Sequence, residues 1–290
     1  MKILVTGKNG QLGLSIQKLI SNFDHYDFTF VGRDELDLSS SESISKYFDA
    51  NSHFDVVINC AAYTAVDKAE CEADLADQIN HLAVKQMSQL ANSYNIKLIH
   101  ISTDYVFDGN ENNSYLESDH PNPINIYGKT KLQGETAVLK AMHKNAIIIR
   151  TSWVYSEFGH NFVKTMLRHG DNRDEISVVS DQIGSPTFAT DLAKAILSIL
   201  NHKDFLATSF PSEIYHFSNL GEISWHKFTL EIFKLANLKC EVIPISSGDY
   251  KTAALRPKNT TLSREKIINQ FNLHIPDWQK SLQDCLKNLL

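Results

Sequence analysis

Residues 2–13 read Lys2-Ile3-Leu4-Val5-Thr6-Gly7-Lys8-Asn9-Gly10-Gln11-Leu12-Gly13, and this stretch decides the fold. Ile3–Thr6 is an unbroken apolar or branched run, as a buried strand requires. Three glycines at a spacing of three follow, then a helical stretch to about Leu19. Gly7 suits a tight turn out of the strand. Gly10 lets the backbone approach a pyrophosphate, and the helix N-terminus behind it attracts negative charge. Gly13 allows close packing of helix on strand. Strand, glycine loop and helix in this order predict the first unit of a dinucleotide-binding sheet.

The pattern continues outward. Phe28–Val31, Asp55–Asn59, Lys97–Ser102 and Ala146–Arg150 read as further strands. Helical stretches lie between them at Ser43–Phe48, Ala69–Ala91 and Tyr127–Leu139. Continuous apolar strands separated by helices predict an α/β doubly wound parallel sheet of Rossmann type. The remainder is less regular and punctuated by Pro186, Pro211, Pro244, Pro257 and Pro276. It carries helix candidates at Asn161–Leu167, Leu192–Leu200, Trp225–Leu235 and Leu262–Ile268, and strand candidates at Ile176–Val179 and Ile214–Phe217. The expected organisation is a nucleotide-binding domain over residues 1–160. A smaller, interleaved α/β substrate-binding domain over 161–290 is expected to send segments back to the first.

Of 290 residues, Lys and Arg number 28 and Asp and Glu 34, a net charge of −6. That balance disfavours a nucleic-acid binder. Cys60, Cys71, Cys240 and Cys285 form no C-x-x-C pair, and no apolar run reaches membrane-spanning length. The N-terminal apolar stretch is too short for a signal peptide, so a cytoplasmic location is expected. No histidine pair has a metal spacing, and no G-x-S-x-G elbow exists. The acidic residues Asp67, Glu70, Glu72, Asp74 and Asp77 are expected to serve the dipole of the Ala69–Ala91 helix.

The most informative pentapeptide is Tyr127-Gly128-Lys129-Thr130-Lys131. Tyr127 is the only tyrosine with a lysine four residues on, so helix geometry turns both side chains the same way. An ammonium beside the phenol is expected to lower the tyrosine pKa. Tyr127 can then exchange a proton with a carbonyl or alcohol oxygen while hydride moves at carbon, and Lys131 can hold ribose hydroxyls. A hydroxyl at the end of the fourth strand can polarise the carbonyl. Thr103 is the expected donor and Ser102 the reserve. Asp104 follows, placed for a sugar hydroxyl.

The cofactor's other contacts are expected along the strand ends. Arg33, just past the second strand, is placed to meet a 2′-phosphate, which leans towards NADP(H). Asp37 lies beside the adenine. The small residues of Asn59-Cys60-Ala61-Ala62-Tyr63-Thr64 leave room for ribose and phosphates. Trp153 can cover a sugar or nucleotide, and Arg256-Pro257-Lys258-Asn259 is a late basic turn that could meet a diphosphate.

Four further stretches are Ser102 through Gly109, Tyr127 through Glu135, Arg150-Thr151-Ser152-Trp153-Val154-Tyr155 and Asp181-Gln182-Ile183-Gly184-Ser185-Pro186-Thr187. With the glycine loop, Asn59 through Glu70 and the late basic turn, they resemble the dTDP-4-dehydrorhamnose reductase family. That family lies within the extended short-chain dehydrogenase/reductase superfamily, and the resemblance runs nearly end to end. It implies NADPH-dependent reduction of the 4-keto group of dTDP-4-dehydro-β-L-rhamnose to dTDP-β-L-rhamnose, with NADH accepted by some members. The product feeds surface polysaccharides such as O-antigen. By the match, Gly10, Gln11 and Leu12 bind the pyrophosphate side, Asp37 and Leu38 lie near the adenine, and Ala62, Tyr63 and Thr64 near ribose and phosphates. Tyr127 is the proton donor, Lys131 its partner and Thr103 the carbonyl's hydrogen-bonding residue. Thr103, Asp104 and Trp153 contact the sugar nucleotide.

Some members of that family dimerise through a magnesium ion held by glutamates. Two of the corresponding positions are Ser15 and Thr190, and the third falls past Leu290. No magnesium-bridged dimer is expected, but a monomer or a weak homodimer. The same core residues also suit a reductase or epimerase of another nucleotide-linked 4-keto sugar. A non-catalytic NADP-binding regulatory subunit is a third reading, against which Thr103, Tyr127 and Lys131 together argue.

Overall fold

The opening stretch forms β1 (Lys2–Thr6) and α1 (Gln11–Leu19). The computed structural model describes residues 1–290, except the side chain of Asn22. Along the chain follow β2 (Asp27–Val31), α2 (Ser41–Ala50) and β3 (Val56–Asn59). Then come α3 (Val66–Ala69), α4 (Ala73–Asp77), α5 (Ala83–Ser93) and β4 (Lys97–Thr103). The 16-residue α6 (Ile126–Ala141) leads into β5 (Ala146–Thr151).

The second half begins with β6 (Val154–Tyr155), α7 (Phe162–Asn172), β7 (Glu175–Val179), β8 (Ile183–Gly184) and β9 (Thr187–Phe188). It continues through α8 (Ala189–Leu200), α9 (Lys203–Leu206), β10 (Glu213–Phe217) and β11 (Ile223–Ser224). It closes with α10 (Trp225–Leu235), β12 (Glu241–Ile245), α11 (Glu265–Phe271) and α12 (Trp278–Leu286).

Six strands make one sheet in the order β10-β5-β4-β3-β1-β2. Every pairing in it is parallel. Alternate side chains of each strand feed two separate cores, as a sheet covered on both faces requires. Ile3, Val5, Ile58, Ile99, Ile147 and Ile149 pack with Ile16 of α1 and with Leu192 and Ile196 of α8. Leu4, Val57, Leu98 and Ile148 face the other way, onto Ile44 and Phe48 of α2, Val84 and Met87 of α5 and Val138 of α6. A third core gathers Val163 of α7, Ile176 of β7, Phe228 and Ile232 of α10 and Leu282 of α12, and a small fourth one holds Val106, Phe107, Tyr115 and Leu262.

One expectation changes. The helix expected over Ala69–Ala91 is not continuous. It is broken after α3 and passes through a π-helical turn at Gln78–Leu82. The reason is tertiary. Asn80 in that turn bonds the backbone of Tyr63 through both ends of its amide and also the Thr130 hydroxyl. A Cβ on Gly134 of α6 would stand 2.2 Å from the Asn80 carbonyl, so the two segments touch backbone to backbone. π turns commonly mark such functional contacts.

The sheet also has a sixth strand from the second half. β10, expected within the irregular part, extends the first sheet beside β5, and α8 packs on α1. Ile196 lies at zero exposure between that helix pair and the sheet. Ile196→Ala should cost about 2–5 kcal/mol in urea denaturation. A loss within about 0.5 kcal/mol, the range of a surface site, would mean α8 is not part of this core.

Candidate active site

The site lies at the carboxyl ends of β1, β3, β4 and β5, where open parallel sheets leave a crevice. A cavity of about 800 Å³ runs from the glycine loop to the far wall at Trp225. Gly7 sits at φ +73°, and a Cβ on Gly13 would come within 2.3 Å of the Gly7 carbonyl. These contacts fold the loop tightly over the start of α1. Gly7, Gly10, Gln11 and Leu12 line the cavity, while Gly13 is packed behind them. A loop with this shape, a helix start behind it and a cleft of this size fit a dinucleotide's pyrophosphate.

Farther along the cleft, Arg33, Asp37 and Leu38 line one end. Arg33 is mostly exposed and pairs with Asp37 at 3.6 Å. Ser39 donates to the Asp37 carboxylate from both hydroxyl and backbone and, as the largest effects, holds it below its usual range. Lys8 of the glycine loop, which the sequence reading did not single out, pairs with Glu35 beside Gly32. Ala62 and Thr64 line the cleft, but Tyr63 does not. Its hydroxyl donates to Glu72 at 2.7 Å and its amide to Asn80, so its side chain serves the broken helix instead. Cys60 faces the cavity, and burial pushes its thiol up to about 12, which leaves it an unreactive small group.

At the centre the structure brings Thr103, Asp104, Tyr127 and Lys131 to one wall. Asn125 caps α6 by accepting from the Gly128 amide at 2.8 Å. A Cβ on Gly128 would lie 2.1 Å from the Tyr105 carbonyl. Only glycine lets α6 press this closely on the segment after β4, and that contact sets Tyr127 against Thr103. The Tyr105 ring meets the Tyr127 ring edge-on at 5.8 Å.

The electrostatics differ from the expectation for Tyr127. Its phenol is pushed up to about 12 by burial, with Thr103 acting in the opposite sense. Lys131 does not reverse this. Its ammonium is buried and donates to the Ile101 carbonyl at 2.6 Å. Burial lowers it to about 8, while Glu135 acts to raise it. Ser102 is held by Glu135 at 2.5 Å, whereas Thr103 bonds within its own turn, to Asp104 and the Tyr105 amide. Thr103 donates to Asp104 Oδ1 at 3.0 Å, and among the described residues Asp104 Oδ2 has no hydrogen-bond partner.

The far wall is aromatic. Trp153 takes a left-handed backbone at φ +47° and stacks on Trp225 at 3.3 Å and 7°. Phe162 backs Trp225 at 4.3 Å. Trp225 escaped the sequence reading because nothing local ties the start of α10 to a residue after β5. Gln11 was expected for the pyrophosphate, and its side chain does something further. It accepts from Ser156 and Asn161 and donates to the Val154 carbonyl, tying the glycine loop to the segment that carries Trp153.

Of the acidic cluster, Asp67 and Asp74 do stand in the first turns of α3 and α4, but three of its members make specific bonds. Asp67 binds Arg256 at 2.6 Å, Glu70 accepts from the Ile126 amide, and Glu72 accepts from Tyr63. Arg256 is thereby tied to α3 and does not line the cavity.

The model of the RmlD substrate binding domain matches residues 1–290. The chain belongs to that family. It is 39% identical over 289 residues to the dTDP-4-dehydrorhamnose reductase of Aggregatibacter actinomycetemcomitans, covering 98% of this chain and 97% of that one. A dTDP-4-dehydrorhamnose reductase crystal structure from Clostridium acetobutylicum superposes with a TM-score of 0.92 at 37% identity, over 100% and 99% of the two chains. One from Bacillus anthracis, solved in complex with NADP, gives 0.91 at 38% identity over 99% and 98%. Among the described residues, no helix is long and apolar enough to cross a membrane.

Asp104 offers a test of the site's electrostatics. Burial raises its carboxyl from 3.8 to about 7. The folded state therefore keeps a proton that the unfolded chain releases near pH 4. Asp104 stabilises the fold fully below that pH, and the contribution fades as pH rises through about 7. Asp104→Asn should flatten the stability profile between pH 4 and 8 by on the order of a few kcal/mol. Urea midpoints at pH 5 and pH 8 that shift equally in both proteins would refute the assignment.

Proposed function

We propose that this chain is a dTDP-4-dehydrorhamnose reductase. It takes dTDP-4-dehydro-β-L-rhamnose to dTDP-β-L-rhamnose with NADPH. The observation that carries the reading is the meeting of Thr103, Tyr127 and Lys131 on one wall of a cleft whose other end is the glycine loop. Full-length kinship to dTDP-4-dehydrorhamnose reductases supports the sugar nucleotide, and the NADP complex of the Bacillus anthracis relative supports the cofactor.

Bound NADPH supplies the hydride that adds to C4 of the sugar and leaves as NADP⁺. Tyr127 gives its hydroxyl proton to O4 as the carbonyl becomes an alcohol. A phenol held up at about 12 is fully protonated at neutral pH, which is the state a donor in the reducing direction needs. Thr103 turns its hydroxyl proton from Asp104 to the same oxygen and stabilises the charge that builds there. Lys131 holds ribose hydroxyls while staying bonded to the Ile101 carbonyl. Asp104 Oδ2, without a protein partner, accepts from a sugar hydroxyl. Trp153, steadied by Trp225, covers the sugar's apolar face. Arg33 takes the 2′-phosphate, and Gly10, Gln11 and Leu12 the pyrophosphate.

Assembly without a bridging magnesium belongs to the same reading. The Ser15 hydroxyl is spent on the Gln11 carbonyl of its own helix, and Thr190 is buried. Sedimentation should give the same mass with magnesium and with chelator, and a dimer that appears only with magnesium would end this part of the reading.

Turnover is followed as loss of nicotinamide absorbance, with the product identified by mass and NMR. Tyr127→Phe should lower kcat by about 10²–10⁴-fold with nearly unchanged NADPH affinity. Wild-type protein that binds NADPH but leaves dTDP-4-dehydro-β-L-rhamnose untouched would refute the substrate. A Tyr127→Phe protein with normal kcat would refute the proton donor.

A further inference from the structure

A buried polar chain runs behind the catalytic wall, and the mechanism above does not use it. Glu135 and Arg150 are each 1% exposed. Arg150 Nε and Nη2 grip the two carboxylate oxygens at 2.9 and 2.7 Å. Ser102 adds a third donor to Glu135 Oε1 at 2.5 Å. Beyond Arg150, His216 of β10 approaches its guanidinium at 3.4 Å, and the Phe107 ring lies 5.0 Å away. Burial and the Arg150 charge hold His216 down at about 3, so it stays neutral.

The order of elements gives this chain a direction. Glu135 stands one helical turn after Lys131 on α6, so both point to the same face. Lys131 lies over β4 through its bond to Ile101. Arg150 comes from β5 and extends towards β10, the next strand outward. The carboxylate is therefore the near charge for Lys131 and the guanidinium the far one. The other groups around Lys131 do not replace it. On its own helix Tyr127, a neutral phenol, shares its face, and the turn after β4 offers Asp104, whose carboxyl burial raises to about 7 and which is bonded by Thr103. β4 offers His100, held neutral by burial and by Lys131 itself. The π turn offers only the amide of Asn80, which is bonded to Thr130.

We propose that Glu135 is a positioning residue for the reaction: its charge keeps Lys131 an ammonium, and its bond to Ser102 fixes the strand end that carries Thr103. Arg150 anchors it and is not itself required for the effect. A buried ion pair is weak evidence for stability, because apolar isosteres often fold as well. That same fact separates a role in folding from a role towards Lys131.

The proposal rests on the reductase reading, so the test has a second readout that does not depend on the sugar. The pH dependence of NADPH affinity, followed by the fluorescence of the bound nicotinamide, is measured beside that of kcat. Wild type should lose both on an alkaline limb that Lys131→Met abolishes. Glu135→Gln should move that limb about one pH unit or more towards acid, since removing the carboxylate disfavours the ammonium. The double variant Glu135→Leu with Arg150→Met should recover the melting temperature and keep the displaced limb. A folded double variant with the wild-type limb would overturn the proposal. So would a limb that survives Lys131→Met. Failure of every Glu135 variant to fold, with the pair replaced by apolar isosteres as well, would assign Glu135 to folding and overturn it too. Absence of turnover in wild type with the NADPH limb intact would instead refute the reductase reading.

Discussion

Everything at the centre depends on how closely α6 approaches the end of β4. With 2.1 Å between a would-be Cβ on Gly128 and the Tyr105 carbonyl, any side chain there would push the helix away. Tyr127 is the preceding residue and Lys131 follows one turn later, so both would move with it. The same device recurs at Gly134, where α6 meets the π turn at Asn80. Two glycines on one helix thus set its height above the sheet at two points, and two points fix a line. The rotamers of Tyr127 and Lys131 then have only the cleft and the Ile101 carbonyl to choose between.

That close packing fixes the electrostatic character of the wall. Burial works against the charged form of each group, so the Tyr127 phenol rises, the Lys131 ammonium falls and the Asp104 carboxyl rises. The shifts are opposite in sign and one in cause. For Tyr127 and Asp104 the outcome suits a site that donates protons and binds hydroxyls. For Lys131 it works against function, because a neutral amine would hold the ribose less firmly and would not offset negative charge that develops beside it. Where burial opposes a role, a compensating charge is required, and Glu135 is the carboxylate within reach.

The central sheet was legible because its evidence is local. Ile3–Thr6, Asp55–Asn59 and Ala146–Arg150 are runs that a doubly covered strand explains, and the structure moves one end of each by a single residue. The glycine loop and the Tyr127–Lys131 pair were legible for the same reason, since each is a spacing within one element. The continuity of the helix over Ala69–Ala91 was not. Its apolar spacing is helical throughout, but Tyr63 and Gly134, from segments before and after it, impose the π turn. Tyr63 was misplaced for the matching reason. Its neighbours Ala62 and Thr64 do line the cleft, and only the fold reveals that the ring between them turns to Glu72.

The pairings that sequence could not supply are those that cross between the two halves of the chain. Trp153 finds Trp225, Gln11 finds Ser156 and Asn161, and Asp67 finds Arg256. Each joins a residue of the sheet's loops to a segment that returns much later. These contacts share a consequence. Gln11 sits in the glycine loop and holds the segment after Trp153, while Trp153 leans on the first residue of α10. A shift of the glycine loop therefore reaches the aromatic wall through one glutamine, without passing through the sheet. The sheet keeps Thr103, Tyr127 and Lys131 in register, and Gln11 links the far wall to the loop at the other end.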